Sequence, residues 1–538
     1  MRLKPPDWRA ASQRLRTLGA MCGLALGLVC AAPAGMGGAA EPVLRPELLA
    51  APPAACAVEP MQRLLGPDVH VAAAAAIPAT AALPSHCLVT GAIQHDGPIG
   101  FALGLPDHWN RKYLFLGIGG FSGRTWPLDE GLARGYATAS TDTGHVDSPS
   151  DARFALNNPA AVRNHFEVAV ELAAVDLKSA AAAYYGAIPR HAYWDGCSGG
   201  GRQGLIEAQR FPDAFDGVIA AAPAWNYAKL LMMLAENANM VVNSPAKWIP
   251  PEMFPAIDRE VLRQCDGIDG VVDGIIMDPR ACRPDLRRLR CAPGHASPTC
   301  LTAAQMSALD EIRRPPFARP GSGYHGYFLS GAETVDSGWS FRFFGPRPPT
   351  VRRGAPFDGA LNGRLGTEFV RYIVHNDPNY DWRRFSIARD GPAVERALAS
   401  LTDASQTDMS PFFRRGGKLL IWHGWSDGAI PPEMSIDLYQ RILRDSHGGW
   451  LPATAEQSVR LFMVPGMHHC DGGSGLTRFD TLTALENWVE RSAAPESIVG
   501  TQVAAGRPMR SRPICAYPKV ARFRGGERPD DAESFECR

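Results

Sequence analysis

The sequence has no excess charge of either sign: 55 lysines and arginines stand against 55 aspartates and glutamates in 538 residues, and only 20% of side chains are charged. A partner such as nucleic acid or an acidic surface calls for a basic excess, so neither is expected. Long apolar runs are also missing outside the N-terminus. No later segment approaches the roughly 20 uninterrupted apolar residues of a membrane-spanning helix, and no internal repeat is present. Glycine and proline, in contrast, are plentiful at 54 and 46, as expected for many turns and long loops rather than a helical bundle. A chain of this length predicts more than one domain, or one domain with a large insertion.

The one apolar run near the start reads as part of a targeting segment. Arg2, Lys4, Arg9, Arg14 and Arg16 form a basic region, residues 18–32 are apolar, and small residues follow with cleavage sites after Ala34 or near Ala40. Cys30 follows Gly27-Leu28-Val29, a poor lipoprotein box, which argues against an acyl anchor. Residues 1–40 are therefore expected to be a signal peptide, and the mature protein to be soluble and exported, periplasmic or secreted, with no membrane contact. Of 12 cysteines, Cys22 and Cys30 leave with that segment, and the remaining even number enters an oxidising compartment. Spacing does not dictate connectivity, but neighbours suggest Cys56 with Cys87, Cys265 with Cys282, Cys291 with Cys300 and Cys515 with Cys537. Cys197 and Cys470 remain, far apart in the chain.

Residues 41–84 read as Ala/Pro-rich with one short helical stretch at 61–65. Strands are then expected at 87–93, 99–105, 113–117, 135–140, 190–194 and 215–223, with a long Ala-rich helix at 166–185 stopped by Gly186. This alternation predicts an α/β fold. From 225 to 403 the rhythm breaks into helices at 227–243 and 302–314, two cysteine pairs and Gly/Pro-rich loops. That stretch reads as an inserted lid domain. Strands return at 418–422 and 458–464, followed by a helix at 481–491. The expected organisation is thus a catalytic domain from 41–224 and 404–538, interrupted by the lid at 225–403.

One stretch dominates this plan. Gly196-Cys197-Ser198-Gly199-Gly200 fits G-x-S-x-G, the strand-to-helix turn that lifts a serine hydroxyl above the sheet in α/β-hydrolases. Alone, a Gly-rich serine turn is a weak signal. The serine needs a histidine to take its proton and a carboxylate to orient that histidine, in the chain order Ser, Asp or Glu, His. Strand 418–422 runs into His423-Gly-Trp-Ser-Asp427, and strand 458–464 runs into a loop ending His468-His469-Cys470. Asp427 and His469 arrive in that order at strand ends, although His423 and His468 are also candidates for the base. A Cys197–Cys470 bridge would hold His469 close to Ser198. The oxyanion donors expected are the amide of Gly199 and one from Gly119-Gly120, with Gly120 favoured.

A second constellation lies at 265–276, where glycines space three carboxylates. Asp266, Asp269 and Asp273, with the carbonyls of Val271 and Ile275, suit a hard cation, and Ca2+ is the expected ion. The spacing is not that of an EF-hand, whose terminal Glu is missing.

Together, the Cys-Ser, Asp427 and His469-Cys470 elements resemble the tannase/feruloyl esterase family, over roughly residues 56–537. The resemblance implies an α/β-hydrolase with the two cysteines bridged, Ser198 as nucleophile, His469 as base, Asp427 as its acid, and Gly120 with Gly199 as oxyanion donors. It also implies a calcium site in the Asp-rich loop. His423 and Ile430 fall where family members line the pocket, and Ile430 is aliphatic where some relatives carry an aromatic. In the lid, Trp339, Phe341, Phe343, Phe344, Phe369, Arg371 and Tyr372 are candidates for an aromatic acyl pocket, the arginine gripping a carboxylate. The expected activity is hydrolysis of small esters of aromatic acids, of feruloyl, galloyl or terephthaloyl type. A serine peptidase and a non-catalytic aromatic-binding protein are the alternatives.

Overall fold

The structure, a computed structural model, describes residues 55–538 apart from 295–296, 298, 317–321, 336, 352–354, 447–454, 456 and 505. The expected signal segment, with Cys22 and Cys30, lies outside the described residues.

A nine-stranded sheet forms the centre, in the order β1-β2-β3-β5-β4-β6-β7-β8-β9. The strands are β1 Val69–Ile77, β2 His86–Gln94, β3 Pro98–Pro106, β4 Lys112–Leu116, β5 Ala137–Thr141, β6 His191–Cys197, β7 Gly217–Ala221, β8 Lys418–Gly424 and β9 Val459–Val464. Pairing is antiparallel from β1 through β3 to β5, then parallel from β5 through β4, β6, β7 and β8 to β9. The parallel strands are buried on both faces, which is why they read as apolar runs rather than alternating ones: every residue of β5 and β7 is buried. Because β6, β8 and β9 run the same way, the loops that leave their C-terminal ends emerge at one edge. That edge is where open α/β sheets bind ligands.

Six helices matter to the argument: α1 Ala169–Tyr185, α2 Gly199–Arg210, α3 Tyr227–Asn243, α4 Phe254–Cys265, α5 Glu433–Asp445 and α6 Thr481–Arg491. α1 stops at Gly186 with φ +63°, the left-handed cap that glycine accepts without steric cost. α3 and α6 have the bounds that apolar periodicity predicts.

Two parts depart from expectation. β1 forms where an Ala/Pro-rich segment was anticipated, because alanine carries a weak strand signal and pairing with β2 supplies what propensity does not. Beyond α6, the hairpin β10 Ser497–Ala504 and β11 Arg507–Cys515 and the short pair β12 Ala521–Phe523 and β13 Phe535–Cys537 add two further small sheets.

Between β7 and β8 the described residues add no strand to any sheet. The insert leaves and returns at one place. Ala404 N–H donates to Trp225 O at 2.8 Å, and Asp403 Oδ1 accepts from Ala228 N–H at 3.0 Å.

Candidate active site

Ser198 stands between β6 and α2 at φ +63°, ψ −119°, a conformation that side-chain-bearing residues adopt only under constraint. The constraint is visible on both sides. Ser198 N–H donates to Ala221 O on β7 at 2.9 Å, and Ser198 O accepts from Ala224 N–H at 3.1 Å and Arg202 N–H at 3.0 Å. The motif glycines permit the tight turn: a Cβ on Gly196 would lie 2.6 Å from the Gly200 carbonyl carbon, and one on Gly200 would lie 2.8 Å from that of Gly117. Ser198 is left half-buried at the sheet edge.

The loops after β8 and β9 are laced to each other before they reach the serine. Trp425 N–H donates to Val464 O at 2.8 Å, and Ser426 N–H to Met467 O at 3.0 Å. Asp427 Oδ2 then lies 2.7 Å from His469 Nδ1, with the carboxylate fully enclosed and the imidazole 12% exposed. The other carboxylate oxygen, Oδ1, accepts from Ala429 N–H at 2.6 Å and Ile430 N–H at 2.9 Å. Burial alone would raise this carboxyl's pKa; the His469 and His423 rings outweigh it and hold the group well below the usual carboxylate range.

A disulfide joins Cys197 to Cys470 with Cα atoms 6.1 Å apart across 273 residues of sequence. It fastens the residue before Ser198 to the residue after His469. Among the described residues no hydrogen bond joins Ser198 Oγ to His469 Nε2. The other four disulfides join Cys56 to Cys87, Cys265 to Cys282, Cys291 to Cys300 and Cys515 to Cys537.

The glycine loop after β4 packs directly on the elbow. A Cβ on Gly199 would meet Gly119 Cα and Gly120 N at 3.3 Å each, and one on Gly119 would reach Ser198 Oγ at 3.9 Å. The Gly119-Gly120 segment therefore lies against the Gly199 backbone, beside the serine. Among the described residues neither the Gly120 nor the Gly199 N–H is bonded to a protein acceptor.

Three histidines compete for the base on sequence grounds, and the structure separates them. His468 is buried, and its Nε2 lies 2.8 Å from Ala332 O, which ties the base loop to the insert. His423, expected as a wall or structural residue, packs behind Asp427. It is fully buried, with Nε2 3.1 Å from Asp427 Oδ2 and 3.2 Å from Ile430 O, and Nδ1 2.7 Å from Ser435 Oγ on α5. It faces Asp427. Ile430 is buried as well, as part of the turn that wraps Asp427.

The residues expected to line an acyl pocket in the insert are buried, all but one. Arg371 is 1% exposed and its guanidinium is committed to Glu368 at 3.0 Å and to the carbonyls of Ala355 and Pro378, so it offers no fork to a substrate carboxylate. Phe369, Phe343, Phe344 and Tyr372 are buried, and Trp339 packs edge-on against Tyr327 and Phe343. Of the seven residues named, Phe341 alone is exposed, at 46%.

In the Asp-rich loop the donor chemistry suits a hard cation in part. Asp266 accepts from the N–H groups of Asp273 and Gly274. Asp269 Oδ1 accepts from Val271 N–H at 3.1 Å, while its buried Oδ2 has no partner among the described residues. Burial, with Asp273 and Asp266 nearby, pushes the Asp269 carboxyl up to about 6. Asp273 bonds outward to Arg512 and Arg510, and among the described residues no three such side chains close on one point.

The family model described as "Tannase and feruloyl esterase" matches residues 87–538. An uncharacterized esterase of Xanthomonas campestris pv. campestris is 34% identical over 549 residues, covering 91% of this chain and 92% of its own. The mono(2-hydroxyethyl) terephthalate hydrolase of Piscinibacter sakaiensis is 31% identical over 536 residues, covering 86% and 87%. Among solved structures, feruloyl esterase B from Aspergillus oryzae superposes with a TM-score of 0.77 at 26% identity, covering 88% of this chain and 97% of that one.

Proposed function

The chain belongs to the tannase and feruloyl esterase family of carboxylic ester hydrolases, and from that premise we propose that it is an exported serine esterase that cleaves small esters of aromatic carboxylic acids through an acyl-enzyme. The observation that carries this reading is the Asp427–His469 pair clamped to the Ser198 elbow by the Cys197–Cys470 bridge. His469 Nε2 takes the Ser198 proton as Oγ attacks the ester carbonyl, and Asp427 stabilises the imidazolium. The Gly120 and Gly199 amides hold the tetrahedral oxygen, at about 3–4 kcal/mol per donor. Protonated His469 then returns the proton to the leaving alcohol, and water repeats the sequence on the acyl group.

The aromatic acyl class rests on the relatives named for feruloyl and terephthalate esters, and export rests on five disulfides and the basic-apolar N-terminus. A fluorophosphonate probe is expected to label Ser198 alone, located by peptide mass spectrometry. A panel of ferulate, gallate and terephthalate monoesters and peptide amides is expected to show turnover of esters only. An unlabelled Ser198, or amide cleavage at comparable rates, overturns the reading.

Calcium is part of the same proposal. Asp266, Asp269 and Asp273, with the carbonyls of Val271 and Ile275, would hold it, and the partnerless Asp269 Oδ2 supports that assignment. Bound there, the ion would neutralise clustered carboxylates in a loop closed by Cys265–Cys282. Calcium at 100 times its Kd is expected to stabilise the protein by about 2.7 kcal/mol, read as a melting temperature that falls on chelation. Asp269→Asn is expected to abolish that dependence; a melting temperature indifferent to calcium and chelator removes the ion from the proposal.

A further inference from the structure

The oxyanion loop has a support that lies outside the triad. Ser122 N–H donates to Gly119 O at 3.2 Å, closing a turn around Gly120 and Phe121. Gly120 sits at φ +61°, the value that the first corner of a primed turn requires and that glycine supplies without strain. The central peptide of this turn is gripped from both sides. Phe121 N–H donates to Pro149 O at 2.8 Å, and Gly120 O accepts from Tyr227 Oη at 3.3 Å.

Tyr227 is itself held in place at the start of α3. It is buried, with its ring edge-on to Phe121 at 6.2 Å and to Phe166 at 5.3 Å. The Arg202 guanidinium stacks on the Tyr227 ring at 5.5 Å and on Phe166 at 5.2 Å. Its Nη1 is anchored to the carbonyls of Phe166 and Thr402. Burial lowers the Arg202 pKa to about 10, so the group remains a cation at neutral pH. Arg202 lies one turn after Ser198 on α2, so the nucleophile helix and the oxyanion loop share this one tyrosine.

We propose that Tyr227 is a positioning residue for ester hydrolysis: its hydroxyl, fixed by the Arg202 stack on its ring, locks the Gly120–Phe121 peptide and with it the direction of the Gly120 N–H. The proposal rests on the acyl-enzyme reading above. A glycine corner has many accessible conformations, and a donor that must be reoriented during the reaction loses part of its worth. The hydrogen bond from Tyr227, acting with that from Phe121 N–H to Pro149 O, removes those alternatives before substrate arrives.

Tyr227→Phe keeps the ring, the Arg202 stack and the aromatic packing, and deletes only the hydroxyl. The variant and its parent are compared on p-nitrophenyl acetate and with phenylboronic acid, whose tetrahedral serine adduct places an oxygen in the hole. Losing an oxyanion donor outright costs about 100- to 1000-fold in kcat, and loosening one is expected to cost about tenfold. KM is expected to stay within about twofold, and phenylboronic acid affinity to fall by about the same tenfold. Unchanged kcat and boronate affinity, or a loss carried by KM alone, overturns the proposal. So does a loss seen only in Tyr227→Leu, which would assign the residue to packing. A parent enzyme whose Ser198 reacts with neither fluorophosphonate nor boronate sinks the acyl-enzyme reading and the proposal together; a reactive parent with an unaffected Phe variant sinks the proposal alone.

Discussion

Ser198→Ala is expected to lower kcat on ferulate or p-nitrophenyl esters by about a million-fold, to the residual rate that binding and the oxyanion donors sustain without a nucleophile. The same substitution is expected to leave the melting temperature within about 2 °C. Ser198 Oγ makes no hydrogen bond within the protein among the described residues, so its removal breaks none. The backbone at φ +63° is as strained for alanine as for serine. Ser198→Gly separates the two effects. It is equally inactive, but it relieves a strain of about 1–3 kcal/mol against a glycine entropy cost of about 0.5–1 kcal/mol. The glycine variant is therefore expected to melt above the alanine variant, by about 1 kcal/mol of stability. Activity in either variant, measured on purified protein free of contaminating esterase, would end the assignment of the nucleophile. A glycine variant no more stable than the alanine one would show that the elbow stores no strain.

Those expectations could be framed from the sequence because catalytic chemistry in this fold is confined to strand ends, and strand ends are legible. An apolar run followed by His423-Gly-Trp-Ser-Asp427, and another followed by Pro465-Gly-Met-His-His469, announce loops at one edge of a parallel sheet. Side-chain direction is less legible. Whether His423 faces substrate or the acid depends on how the turn after β8 folds back, and no periodicity reports that. The aromatic run 339–344 signals burial more readily than binding, and the structure gives burial to all of its aromatics but Phe341. Arg371 did carry a usable sign. Glu368 stands three residues earlier, and helical neighbours at that spacing pair readily. Tyr227 carried none, since its hydroxyl meets Gly120 across 107 residues of chain.

The role of His423 gives the sharpest expectation for the acid. Asp427 presents its two oxygens to different partners: Oδ1 to the N–H groups of Ala429 and Ile430, Oδ2 to His469 and His423. An asparagine there has one acceptor oxygen, and two backbone donors claim it. Its Nδ2 is forced toward two imidazole nitrogens and presents hydrogens where the carboxylate presented a lone pair. His469 must then accept at Nδ1 and carry its proton at Nε2, the tautomer that cannot take a proton from Ser198. Asp427→Asn is therefore expected to lower kcat by about 10⁴-fold at neutral pH with the backbone geometry intact. The charge lost also has a stability signature. The folded pKa of Asp427 is depressed, so its contribution is present above the unfolded carboxylate value near 3.9 and disappears as pH falls through the folded one. The parent is thus expected to lose more stability than Asp427→Asn between about pH 5 and pH 2, followed by urea midpoints across that range. Neutral-pH kcat within about tenfold of the parent would mean that His469 is oriented by another group.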